Sequence, residues 1–131
     1  MGLILASCSG STGPNNGSNN GGNGGESPPP AEPTFTNVLD IFNSSCGGSG
    51  CHIGESTNGV RLDSYDAIMS SEGTQYGGPI VIEGEPDNSP LVDKIEEDPR
   101  FGARMPKGGT PLSNEQITLI RDWIAEGAQN N

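Results

Sequence analysis

A short segment in the first half of the chain contains two of its three cysteines and its one histidine, and reads Cys46-Gly-Gly-Ser-Gly-Cys51-His52. Two cysteines followed directly by histidine are the arrangement by which c-type haem is attached, because each thiol adds to one vinyl group and the histidine then lies beneath the iron. Most such segments have two residues between the cysteines, whereas this one has four. Three of these four are glycines, which tolerate any backbone conformation, so the longer spacing is compatible with attachment.

Two other interpretations of the segment stay open on these residues alone. In an exported protein, Cys46 and Cys51 would close a simple disulfide and leave His52 on the surface. A zinc site would need further ligands, and because the third cysteine, Cys8, is far away along the chain, carboxylates would have to complete the set.

A single histidine excludes bis-histidine ligation within one chain, so a second axial ligand would be methionine, lysine, water or a partner's residue. Met69 lies in a predicted amphipathic helix, where core packing explains it. Met105 lies in a Pro- and Gly-containing loop without apolar neighbours to bury it, so we expect Met105 rather than Met69 to be the ligand. The neighbouring Arg104 is a candidate partner for a haem propionate, with Arg61 as the other candidate.

The composition divides the chain into three parts. Residues 1–8 form a short apolar run that ends in Cys8, and residues 9–33 are rich in Gly, Asn and Pro, with one alanine as their only aliphatic side chain. Nothing in residues 9–33 offsets the entropy of ordering the backbone, so we predict a disordered tether there. All six aromatic residues lie in residues 34–131, which we predict to be the folded domain.

The first eight residues resemble a bacterial lipoprotein signal, in which Cys8 becomes the lipidated N-terminus. The run has no positively charged start and is short for a signal, so a stray cysteine is the alternative. We expect an exported, periplasmic or cell-surface protein that contacts the membrane only through this lipid anchor.

The formal net charge of −11 comes from 17 acidic and 6 basic residues, and two of the acidic but none of the basic residues precede residue 34, which leaves −9 on the domain. This balance argues against nucleic acid as a partner, because phosphate binding needs clustered Lys and Arg. No apolar run approaches the ~18 residues of a membrane-spanning helix. The acidic surface favours a basic redox partner, or it serves solubility alone.

Hydrophobic periodicity and capping residues predict four helices in the domain. The first follows Thr36 as N-cap and has Cys46 on its apolar face, the second starts from Asp63, and the last is opened by a capping box of Ser113 and Gln116. The predicted bounds are Asn37–Ser45, Ser64–Ser71, Pro90–Glu97 with Ser89 as N-cap, and a last helix closed by Gly127. We also predict a short strand at Ile80–Ile82, and the long loops 73–88 and 99–112 are expected to surround a functional site.

Five ordered segments between Phe35 and Ala128 resemble planctomycete-type cytochrome c domains, and class I cytochromes c more broadly. They are the cysteine–histidine segment, Gly59 to Ile68, Glu83 to Leu91, Met105 to Gly109, and Leu112 to Ala128. The resemblance implies an all-α, class I cytochrome c-like fold, with about four helices and long loops around one haem c bound covalently through Cys46 and Cys51. It also implies His52 and Met105 as the axial ligands.

This resemblance predicts an electron carrier rather than an enzyme, because an iron with both axial positions filled does not readily bind substrate. Five apolar side chains are expected to line the haem, namely Phe42, Leu62, Ile80, Ile82 and Leu91. The alternative function is a haem-free, disulfide-closed binding module of a surface lipoprotein.

Overall fold

The computed structural model describes residues 31–47 and 51–131. The predicted signal with Cys8, and all but the last three residues of the predicted tether, lie outside these ranges. The described part contains the helices α1 (Phe35–Ser45), α2 (Tyr65–Ser70), α3 (Pro90–Ile95) and α4 (Asn114–Ala125), the strands β1 (Glu72–Gly73) and β2 (Gly78–Pro79), and a 3₁₀ turn (Pro86–Asn88). Four helices were predicted and four are observed in these residues, but the domain also has a sheet and is therefore not purely α.

The sheet is a single antiparallel pair in which Glu72 lies opposite Pro79 and Gly73 opposite Gly78. The prediction of a strand at Ile80–Ile82 is wrong. The backbone of Ile80 bonds to two separate segments and not to a neighbouring strand, since its N–H donates to the Ser71 carbonyl at 3.2 Å and its carbonyl accepts from the Leu91 amide at 2.9 Å.

Helix α1 begins two residues earlier than predicted. Its N-cap is Thr34, whose hydroxyl accepts a hydrogen bond from the Asn37 amide at 3.3 Å, so Thr36 lies inside the helix. The early start adds Phe35 to the buried face that Val38 and Phe42 also form. At the other end Cys46 is the C-cap residue, and its N–H donates to the Phe42 carbonyl at 2.7 Å.

Helix α4 contains the predicted capping box, with the Ser113 hydroxyl accepting from the Gln116 amide and the Gln116 side chain accepting from the Ser113 amide. The helix packs against α1, and the Trp123 ring lies 5.9 Å from that of Phe35. Trp123 is almost completely buried, and an aromatic side chain removes roughly 150–250 Å² from water on burial. The two terminal helices therefore form the core on which the remaining loops are built.

The two short helices differ from the prediction at their ends. Helix α2 starts from Ser64, whose hydroxyl accepts from the Ala67 amide, and not from Asp63. Helix α3 follows Ser89 as predicted but ends at Ile95, and the buried Ser89 hydroxyl bonds to Ile82 and Glu85 instead of capping the helix. Within the described residues no helix is long and apolar enough to cross a membrane.

Candidate cofactor site

A cavity of about 440 Å³ lies between the end of α1, the helix α3 and the loop that follows α3. Its volume is in the range of small-molecule and cofactor sites. The two cysteines, the histidine and one methionine of the sequence analysis line it together, namely Cys46, Cys51, His52 and Met105. Most of the remaining wall is apolar, with side chains of Val60, Leu62, Ile80, Leu91 and Ile95.

Two of the five apolar side chains expected around a haem do not line the cavity. Leu62, Ile80 and Leu91 line it as predicted, but Phe42 and Ile82 do not. Phe42 is completely buried in the core, on the same face of α1 as Phe35 and Val38.

Cys46 is placed at the cavity by the end of α1, where it is the C-cap residue of the helix. Its thiol is buried, and this burial raises the pKa of Cys46 to about 11. The Cys46 carbonyl accepts from the His52 amide at 3.3 Å, which brings the histidine back beside the helix end.

Cys46 and Cys51 are not bonded to each other. Cys46 is a free cysteine in this structure, so its thiol is not joined to that of Cys51. The simple Cys46–Cys51 disulfide considered from the sequence is therefore not what the structure contains.

The ring of His52 is oriented by the backbone of a neighbouring turn. Its Nδ1 atom lies 3.1 Å from the carbonyl oxygen of Val60. A carbonyl oxygen only accepts, so the proton of this hydrogen bond belongs to Nδ1, and Nε2 keeps its lone pair. Half-buried in the wall of the cavity, His52 is thus held in the tautomer that a metal ligand requires.

Met105 lines the same cavity from the loop between α3 and α4. The Met105 N–H donates to the Lys94 carbonyl at 2.8 Å, and the Met105–Pro106 peptide bond is cis. Met69, the alternative ligand, packs against the core and does not line the cavity. The structure thus brings Met105, and not Met69, to the cavity with His52.

The two arginines considered as propionate partners lie elsewhere. The Nε of Arg104 donates to the Ile95 carbonyl at 2.9 Å, and its guanidinium lies 3.9 Å from Glu97. Arg61 is paired with Asp63 at 2.7 Å. Neither arginine lines the cavity, whose wall contains Lys94 and Lys107 instead.

Sequence reasoning missed both lysines as site residues. Lys107 had a local signal, because it follows Met105 by two residues, but Lys94 is on α3 and only the fold brings it to the loop. Burial lowers the pKa of Lys94, and the charge of Lys107 lowers it further, whereas the neighbouring Asp93 raises it.

The zinc interpretation gains no support from the described ranges. Within residues 31–47 and 51–131, no group of three or more His, Cys, Asp or Glu side chains is arranged to hold a metal ion. The cavity instead brings together one imidazole, one thioether and two cysteine side chains on a mostly apolar wall, and this set fits a haem.

Comparison with protein families agrees with this donor set. Residues 49–109 match the family described as Planctomycete cytochrome C. This match supports a planctomycete-type cytochrome c domain in this part of the chain. Searches of the curated proteins and of the solved structures find no significant match.

The matched part of the cytochrome domain includes Cys51, His52 and Met105. Cys46 precedes its first residue by three positions, in line with the long spacing between the two cysteines. The family suggests haem-based electron transfer in general and an electron carrier rather than an enzyme.

Proposed function

We propose that the protein is a mono-haem electron carrier, with one haem c bound covalently through Cys46 and Cys51 and with His52 and Met105 as axial ligands. The observation that supports this proposal is the meeting of these four side chains on one cavity, from which Met69 is absent. The proposal extends the family assignment to a class I type of site.

The residues of the chain fit such a group in three respects. The hydrogen bond to the Val60 carbonyl leaves Nε2 of His52 available to iron. Met105 lines the same cavity, and a thioether ligand raises a haem potential relative to a second imidazole. The apolar wall excludes water from the porphyrin face, and the haem itself supplies a one-electron redox centre.

Covalent attachment needs both Cys46 and Cys51 as thiols. Cys46 is a protonated thiol at neutral pH, because its pKa is about 11. Thioether formation would add a thiol S–H across a vinyl double bond, so it needs neither an oxidant nor a reductant.

The visible spectrum of the full chain tests the proposal. The chain is produced in a bacterial periplasm together with cytochrome c maturation machinery, and a reduced-minus-oxidised spectrum is recorded after extraction with acidified acetone, which removes non-covalent haem. We expect a c-type α-band that survives extraction. Absence of this band under conditions that mature a known c-type cytochrome would overturn the proposal.

The third cysteine provides a matched control. Cys46→Ser together with Cys51→Ser is expected to abolish extraction-resistant haem, while Cys8→Ser is expected to keep it. Covalent haem in the double variant would contradict attachment through these two sulfurs.

We also propose that the chain is exported and anchored by lipid on Cys8, with residues 9–33 as the tether. The support is the apolar run that ends in Cys8 and the composition of the segment that follows it. Intact-mass spectrometry of native material is the test, and a free Cys8 thiol without diacylglycerol would overturn the anchor.

The net charge of −9 on the domain supports a basic surface on the redox partner.

A further inference from the structure

Charge is distributed unevenly around the cavity. The domain has 15 acidic residues, and none of them is among the residues that line the cavity. The lining does include two of the six basic residues, Lys94 and Lys107. In a domain where carboxylates outnumber cations more than twofold, a wall with lysines and no carboxylate indicates an anionic ligand.

The pairing of the basic residues leads to the same conclusion. All four arginines are paired with carboxylates, namely Arg61, Arg100, Arg104 and Arg121. No ion pair between residues that the structure describes involves Lys94 or Lys107. The two cations without a protein counter-charge in the described part are therefore the two at the cavity.

The ammonium group of Lys94 is held in place on the cavity wall. It donates to the carbonyl oxygens of Phe101 and Ala103, at 2.5 and 2.9 Å. An ammonium group has three N–H donors, so one remains for a ligand. The nearby Asp93 is engaged by the Tyr76 hydroxyl and by Arg100, which leaves Lys94 without a dedicated carboxylate partner.

Lys107 is more exposed to solvent than Lys94. Its side chain is exposed, whereas that of Lys94 is half-buried, and both line the cavity. Both lysines line one cavity and have the same charge, so each disfavours the other in the absence of an anion. A ligand with an apolar body and two carboxylates would satisfy both lysines and remove their repulsion.

We propose that Lys94 and Lys107 form the carboxylate subsite of the cavity and bind the two propionates of the haem, the role that the sequence suggested for Arg104 or Arg61. This inference rests on the proposed function, which supplies the haem. Lys94 has a second role as a positioning residue, because its side chain and its carbonyl together bind Phe101, Ala103 and Met105 of the same loop.

Resonance Raman spectroscopy of the mature full chain tests the subsite directly. The propionate bending band reports hydrogen bonding of the haem carboxylates and does not depend on electron-transfer activity. We expect Lys107→Gln and Lys94→Gln each to shift this band, and Lys94→Arg, which keeps the charge, to shift it less. Arg104→Gln and Arg61→Gln are the matched controls and should leave the band unchanged.

The outcomes separate the subsite from the proposed function. A band that moves in Arg104→Gln or Arg61→Gln but in neither lysine variant overturns the subsite. A wild-type chain without covalent haem overturns the proposed function, and the subsite is then measured from equilibrium binding of protoporphyrin IX and its dimethyl ester. Tighter binding of the diacid, reduced about tenfold by Lys107→Gln, supports the subsite. Equal binding of the two porphyrins, or no binding of either, overturns it.

Discussion

The Nδ1 atom of His52 lies 3.1 Å from the carbonyl oxygen of Val60, at the end of a tight turn. Two hydrogen bonds between Thr57 and Val60, of 3.0 and 3.1 Å, close this turn. Gly59 lies inside it in a left-handed conformation, with φ of +82°. The direction of the imidazole therefore depends on backbone geometry that a side chain at position 59 would disturb.

Gly59→Ala is expected to destabilise the domain and to displace the acceptor of His52. A Cβ at this position would lie 2.1 Å from the Glu72 carbonyl oxygen, so the backbone would have to move. Gly77→Ala is the matched control, because Gly77 has a similar φ of +75° but nothing within 4 Å of a Cβ. The left-handed conformation costs each variant about 1–2 kcal/mol.

Denaturant unfolding of the mature protein, followed by Trp123 fluorescence, measures the difference. We expect Gly59→Ala to lose clearly more free energy of unfolding than Gly77→Ala. Equal losses would mean that the close approach of position 59 to the Glu72 carbonyl has no energetic weight.

Met105→Ala is expected to remove the thioether from the cavity, whereas Met69→Ala should leave the cavity unchanged, since Met69 packs against the core. In the mature protein, the first change should abolish the weak methionine-to-iron charge-transfer band of the oxidised form and lower the reduction potential. The second should keep both properties and reduce stability only. If Met69→Ala abolishes the band instead, the assignment of Met105 is wrong.

Local signals in the sequence were sufficient where short-range interactions determine the structure. The capping box of α4 lies within four residues, and both of its hydrogen bonds are present. The start of α1 was misplaced because Thr34 and Thr36 are both good N-caps, and only tertiary burial of Phe35 selects the earlier one.

The cavity shows where such signals end. Arg104 is next to Met105 in the chain, but its guanidinium turns away to the Ile95 carbonyl, because adjacency in a loop does not determine side-chain direction. Lys94 reaches the cavity only because the loop after α3, which contains Met105, folds back against that helix. That contact, between positions seven to eleven residues apart on a helix and a loop, has no periodic signature.

Burial of Cys46 predicts a slow reaction of its thiol in the haem-free full chain. Since its pKa is about 11, about one molecule in a thousand holds the thiolate at pH 8, compared with roughly one in four for an exposed cysteine. We expect iodoacetamide to alkylate Cys46 at least about a hundredfold more slowly in buffer than in urea. Cys8→Ser removes the signal of the remote cysteine, and peptide mapping identifies the alkylated site. Equal rates in buffer and urea would contradict the burial of Cys46.

Tyr76 predicts how stability changes at alkaline pH. Its hydroxyl donates to Asp93, its ring packs edge-on against Phe101 at 5.0 Å, and burial, with the Asp93 hydrogen bond and charge, raises the pKa of Tyr76 from 10.0 to about 12. The folded state thus favours the neutral phenol. The stability this provides is complete below pH 10 and is lost as the pH rises from about 10 to about 12.

Tyr76→Phe cannot titrate, so the difference in free energy of unfolding between wild type and this variant should shrink as the pH rises through that window. The raised pKa of Cys46, about 11, makes the free energy of unfolding fall in an overlapping pH range. The lowered pKa of Lys94 makes the free energy of unfolding rise with pH instead. Both remain in the variant, so subtracting its unfolding curve from that of the wild type isolates Tyr76. Asp93→Asn removes the negative charge beside the Tyr76 hydroxyl but leaves Tyr76 half-buried. This variant should therefore abolish only part of the fall in the free energy of unfolding at alkaline pH. A difference that stays constant from pH 9 to pH 12 would show that Tyr76 titrates alike in the folded and unfolded chains.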